Sequence, residues 1–239
     1  MNKVKLERFI QKYNLGGNVS SVKWKVKGNQ LSTDFVSDDR TLLGSVLLSN
    51  FDFDSCEIGI NDTNQLNKLL GVLGDDIDMS LTSFSDKPVS LNVKNGSVSF
   101  NYPLADLSVI GETPKLKNIP EFNTEIKIND KFINTFIKGK NALSDTELFS
   151  IVSSGSGLNI VIGYSSTNTN RINIPVDCDE NNIKGTVTFN ANLFKDILVS
   201  NKECTSATLH ISNDGLAKIN FKIDDYDSTY YLVAIQGNN

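Results

Sequence analysis

The chain reads as one plan executed twice, and this repeat restricts its possible folds more than any other feature. The spacing of Leu6, Phe9, Ile10 and Tyr13 predicts an amphipathic helix over 3–14. Alternating segments follow at 22–26, 42–48 and 56–60. A second helix is expected from Asn61 or Asp62, either of which can cap it, to Leu73, with Leu66, Leu69, Leu70 and Leu73 on one face and Gly74 as its stop. Strands at 77–81 and 89–93 then lead into the hairpin signal Asn95-Gly96 and the segment 98–100.

The second half repeats this order. A helix begins at Asn129 and runs to about Lys138, carrying Phe132, Ile133, Phe136 and Ile137. Strands are expected at 148–152, 158–164, 171–176 and 185–189. Asn190 can cap a fourth helix bearing Leu193, Phe194, Ile197 and Leu198, and a strand leads to the hairpin signal Asp214-Gly215. The chain closes on the apolar run 230–235. Leu6, Phe9 and Ile10 fall on Ile133, Phe136 and Ile137 at an offset of 127, and Leu66-x-Lys68 falls on Leu193-x-Lys195 at the same offset. Pairing Asn95-Gly96 with Asp214-Gly215 gives 119 and implies a small deletion. Two prolines and a glycine in 111–120 mark a connector that continues neither a helix nor a central strand. The expected organisation is an α+β chain with domain 1 at 1–110, a connector at 111–122 and domain 2 at 123–239, each domain with two helices packed on antiparallel sheets.

A net charge of −5 argues by itself against binding nucleic acid. The charge is segregated, however. Helical windows 3–14, 61–73, 129–143 and 190–203 hold ten lysines and arginines against five acids, while the remainder holds thirteen against twenty-three. At about 100° per residue, Lys131 and Lys138 lie nearly opposite the apolar face of the third helix. Lys68 and Lys195 lie well away from theirs, beside Asn64 and Asn192. In the first helix Lys5, Arg8 and Lys12 form a stripe beside the apolar one. A single helix of this kind is an ordinary surface helix; four at matched places in a repeat carry more meaning.

A tandem of helix–strands–helix–strands domains with basic helices resembles the sliding clamp family, and in size and detail the processivity clamps of T-even-type phages. The resemblance is clearest from Asp62 to Leu81, through the hairpin to the segments 102–106 and 108–109, and again from Tyr230 to Ile235. It implies a ring of six domains around a hole lined by twelve helices, hence a head-to-tail homotrimer encircling double-stranded DNA without sequence preference. Its implied partners are a DNA polymerase, a clamp-loader ATPase and late-transcription factors, in the cytoplasm of an infected bacterium. By the same resemblance Lys5, Arg8, Lys12, Lys68, Lys131, Lys138 and Lys195 face DNA. A partner peptide would dock in an apolar pocket beside the connector, for which Val109, Ile110, Leu116, Ile119 and Val233 are the candidates.

Little else suggests chemistry. No phosphate-binding glycine loop, dinucleotide fingerprint, zinc-protease helix or nucleophile elbow occurs. Gly155-Ser156-Gly157 reads as a turn whose glycine spacing is wrong for an elbow. Asp177-Cys178-Asp179-Glu180-Asn181 begins like a calcium loop, but Asn182 stands where glycine is needed and Thr188 where a bidentate glutamate is needed. Asp75-Asp76 and Asp224-Asp225 read as solvated turns. Three scattered cysteines, Cys56, Cys178 and Cys204, argue against a disulfide framework, and the lone His210 sits in an alternating strand pattern. No run reaches the length of a membrane span. The expectation is a non-enzymatic protein without cofactor or metal. The alternative is a β-rich phage tail or baseplate protein, or a ligand-binding protein.

Overall fold

The computed structural model describes residues 1–154, 157–165 and 169–235. Gly155 and Ser156, expected in a turn, lie outside the described residues. The chain forms two compact units, Met1–Asp38 with Gly44–Pro114, and Asp39–Leu43 with the chain from Lys115 onward.

The first unit contains α1 (Lys3–Asn14), β1 (Val22–Lys27), β2 (Gln30–Val36), most of β3 (Leu42–Ser49), β4 (Cys56–Ile60), α2 (Thr63–Leu70), β5 (Asp78–Phe84), β6 (Lys87–Asn95) and β7 (Val98–Pro103). The second contains β8 (Thr124–Asn129), α3 (Asp130–Ala142), β9 (Leu148–Ser154), β10 (Gly157–Ile162), β11 (Ile172–Val176), β12 (Thr186–Asn190), α4 (Ala191–Ser200), β13 (Ser206–Ile211), β14 (Leu216–Ile223) and β15 (Tyr226–Val233). Strand order in the first unit is β4-β1-β2-β3 and β5-β6-β7; in the second it is β12-β9-β10-β11 and β13-β14-β15, with β8 added beside β13. Element for element, the two units share one topology. Even β8 has a counterpart, because Asn2 bridges Asp76 just ahead of β5.

Each of the four α-helices starts on a side-chain cap. Asn2, Asp62, Asn129 and Asn190 each accept a hydrogen bond from a first-turn amide, at offsets of 127 and 128 between the units. Asn61 does not cap; its carboxamide oxygen accepts the Tyr102 hydroxyl instead, at 2.9 Å. Below the caps, one apolar stripe packs on the sheet. Phe9 meets Trp24 edge-on at 5.8 Å in the first unit, and Phe136 meets Phe149 of β9 edge-on at 5.3 Å in the second.

The structure corrects several expectations. α2 ends at Leu70, three residues short, and Val72 and Leu73 continue only as turns. Gly74 is therefore no helix stop. A Cβ there would lie 2.8 Å from the Asn95 side-chain oxygen, which would have to move aside. Two strands were not expected, β2 and β8, although Leu31, Thr33 and Phe35, and Thr124, Ile126 and Ile128, alternate inward. The pairing of turns also changes. The turn after Asn95 joins β6 to β7, whereas Asp214-Gly215 joins β13 to β14. The true counterpart of Gly96-Ser97 is Asp224-Asp225, which closes Ile223 onto Tyr226 at an offset of 128 (96 to 224). No deletion is needed, and Tyr102 and Tyr230 become equivalent.

Candidate nucleic-acid interface

Burial decides which of the predicted cations can face a ligand. Of nine lysines and arginines on the four helices, Lys3, Lys12 and Lys140 are buried. Lys12 is 0% exposed, which removes it from the proposed stripe. It lies only about 60° around the helix from Phe9, so the packed face takes in its stem. The Lys3 ammonium donates to the Leu73 carbonyl at 2.7 Å and lies 3.6 Å from Glu7. Lys140 donates to the Ser144 carbonyl at 2.8 Å. Burial first, and then the charge of Lys195, hold the Lys140 ammonium below lysine's ordinary value. Lys3 and Lys140 are structural lysines that satisfy carbonyls where chain segments end.

Lys68, Lys131 and Lys138 are exposed, and none has an ion pair among the described residues. Lys131 and Lys138 are seven residues apart, so they project from the same side of α3, about 10 Å apart along its axis. Asn134 and Thr135 are exposed between them, as Asn64 and Asn67 are beside Lys68. Lys5 and Arg8 are half-buried. Lys195 is half-buried too, and its ammonium lies 3.6 Å from Asp196. Each unit packs its two helices side by side. On the observed helices six unburied cations stand against three acids, a thinner balance than the sequence windows suggested.

The residues expected in a partner-peptide pocket differ in exposure. Val109 is 74% exposed and belongs to the first unit. Ile110 is 6% exposed and is core. Its Cδ1 stands 2.8 Å from where a Cβ on Gly59 would be, so Ile110 plugs the crossing of β4 by the segment at Ala105 and does not line a pocket. Leu116, Ile119 and Val233 are exposed by 38%, 49% and 46% and belong to the second unit. Ile235, also partly exposed, extends this set; its amide donates to the Thr188 carbonyl at 2.8 Å, as Ala105 donates to Gly59 in the first unit. The Val233 amide donates to the Thr41 carbonyl at 2.8 Å. Nothing in the sequence pointed to Thr41.

The connector is held at both ends. Glu112 pairs with Lys23 of β1, and the Thr113 hydroxyl donates to the Asp34 carbonyl at 3.0 Å. The hydrogen bond from Lys23 holds the Glu112 carboxyl below its ordinary value. At the other end the Asn123 amide donates to the Ile211 carbonyl at 2.8 Å, and the Asn123 side chain accepts from Asn213 at 2.7 Å. Among the described residues no three metal-ligating side chains converge, and no helix is long and apolar enough to cross a membrane.

No protein-family model matches the chain. It is 27% identical over 192 residues to a DNA polymerase sliding clamp of Methanococcoides burtonii, covering 77% of this chain and 74% of that protein. Its structure matches Proliferating Cellular Nuclear Antigen from Entamoeba histolytica with a TM-score of 0.75 at 15% identity, over 99% of this chain and 97% of the other. With repeated helix pairs on antiparallel sheets and a match along almost its whole length, the chain has the DNA clamp fold.

Proposed function

We propose that this protein is a sliding clamp, a non-enzymatic scaffold that closes around duplex DNA and tethers a DNA polymerase for processive synthesis. The observation that carries the reading is the repeat itself. Twice, at offsets of 127 and 128, a helix pair buries its apolar stripe on a sheet and turns amides and lysines outward. The similarity to a DNA polymerase sliding clamp supports it. Two such domains per chain, here 1–110 and 123–239 joined by 111–122, make a six-domain ring a homotrimer with heterologous, head-to-tail contacts. Topology then supplies the hold. The lining needs only weak, sequence-independent phosphate contacts, and Lys68, Lys131 and Lys138 are the side chains best placed to make them, with Lys5, Arg8 and Lys195 contributing less. Leu116, Ile119 and Val233 are the better part of the peptide-docking surface. The finer reading is a T-even-type phage clamp in the cytoplasm of an infected bacterium, opened by a clamp-loader ATPase and touched by late-transcription factors.

Retention on DNA tests this. Loaded by a clamp-loader ATPase onto nicked circular DNA, the protein should stay bound through gel filtration and leave when the circle is cut. Equal retention on circular and linear DNA would sink the ring.

A further inference from the structure

The loop joining β10 to β11 is pinched at its base. Gly163 has φ 77°, and a Cβ on it would stand 2.8 Å from the Asn170 carbonyl oxygen and 3.7 Å from the Arg171 Cα. Glycine permits both the left-handed backbone and the close approach. The pinch holds Tyr164 and Arg171 at the loop's two ends, just beyond the pair Ile162–Ile172. Along the strands, Leu158, Ile160, Ile162 and Ile174 face the buried side. Asn159, Val161 and its cross-strand partner Asn173 therefore share the opposite face, with Val152 beside Asn159 on β9. These side chains line a shallow depression of about 210 Å³. Its floor is aliphatic, from Val152 and Val161, and its rim is polar. Arg171 is exposed and makes no ion pair among the described residues.

We propose that this depression receives one glutamate side chain of a partner polypeptide. Its carboxylate would meet the Arg171 guanidinium and the Asn173 amide, and its methylenes would lie on Val152 and Val161 under the Tyr164 ring. The volume is below the roughly 300–1,000 Å³ of small-molecule sites but ample for a single side chain. One planar guanidinium matches a carboxylate bidentately. A phosphate dianion would call for further cations, and among the described residues no other lining residue is cationic. The aliphatic floor favours an acid carried on methylenes, hence glutamate. The site is built from side chains of β9, β10 and the β10–β11 loop with Asn173 of β11, so it does not rest on the proposed ring.

The test is a methyl NMR titration of the full chain, with labelled valines, against three N-acetylated peptides. They are acetyl-Gly-Glu-Gly-amide, its glutamine analogue, and acetyl-Gly-Gln-Gly with a free C-terminal carboxylate. The glutamate peptide should shift the Val152 and Val161 methyls saturably, and the other two should bind weaker by about tenfold or more. Arg171→Gln should abolish the glutamate preference, and Arg171→Lys should restore part of it. Equal shifts with all three peptides, or a preference that survives Arg171→Gln, would overturn the assignment. Light scattering on Arg171→Gln should give the parent mass, so that loss of peptide binding is read separately from assembly.

Discussion

Lysine can serve two ends on one helix, and burial separates them. Lys3 and Lys140 cap carbonyls, and Lys12 is sealed under the α1 stripe. Lys68, Lys131 and Lys138 stand in solvent. Replacing the exposed three by alanine should leave the melting temperature nearly unchanged. It should also weaken DNA binding and flatten its salt dependence, by about 0.9 in log–log slope for each phosphate no longer neutralised. Lys12→Ala should do the opposite. It empties a fully buried position and should lower stability by about 1–3 kcal/mol while the salt slope stays at its parent value. Parallel titrations of DNA binding against salt, with thermal melts of each variant, check both halves. A parent-like slope in the triple variant would remove these lysines from the interface. The sequence could not separate the two groups. Lys12 and Lys138 look alike in composition, and whether a flank position near Phe9 is covered depends on what packs there.

At the scale of elements the connector is the most testable part. Among the described residues no hydrogen bond or ion pair ties down its middle, Pro114 to Pro120, while the Lys23–Glu112 pair and the Thr113 bond anchor one end and Asn123 the other. Because the Glu112 carboxyl is held below its ordinary value when folded, its contribution is present above the unfolded glutamate range. It is lost as pH falls through the folded value. Glu112→Gln should therefore speed tryptic cleavage after Lys115 and Lys117 several-fold at neutral pH, and high salt should do the same to the parent. Equal cleavage rates in parent and variant would show that the pair does not restrain the connector. The helices were legible because their apolar positions keep a 3.6-residue period and begin on Asn or Asp caps. β2 and β8 were not, since Ser32-Thr33-Asp34 and Glu125, Lys127 and Asn129 dilute a short alternation. The turn equivalence failed for a related reason. Asp214-Gly215 carries the stronger hairpin signature, yet strand order, not turn chemistry, makes Asp224-Asp225 the partner of Gly96-Ser97. Of the site, the exposed lysines were readable, but the fate of Ile110 hung on Gly59, far away in sequence.

Assembly of the whole molecule turns on which strand edges remain open. Ala105 bridges β4, Cys178 bridges β8, Asn2 bridges just ahead of β5, and Ile235 bonds to β12. Among the described residues no bridge covers the outer edges of β7 and β11, and exposed edges invite pairing with another chain. The two-residue turn makes Asn95–Val98 a hydrogen-bonded pair, so the backbone groups of Ser99 and Asn101 point away from β6. Pro175 has no N–H and belongs where the backbone nitrogen points away from β10, which turns Asn173 outward as well. Setting Asn101 of one copy antiparallel to Asn173 of the next places Pro103 and Pro175 at the flanks, where each forfeits a single donor. A heterologous contact of this kind closes into the proposed ring after three copies of 26.3 kDa. Asn101→Pro removes the central donor of the seam. It should drop the mass in light scattering from three chains to one at micromolar concentration and abolish retention on circular DNA, with the circular-dichroism spectrum unchanged. Asn101→Ala keeps the amide and should remain trimeric. A trimeric Asn101→Pro would place the seam elsewhere, and a monomeric Asn101→Ala would show that the side chain, not the strand edge, holds it.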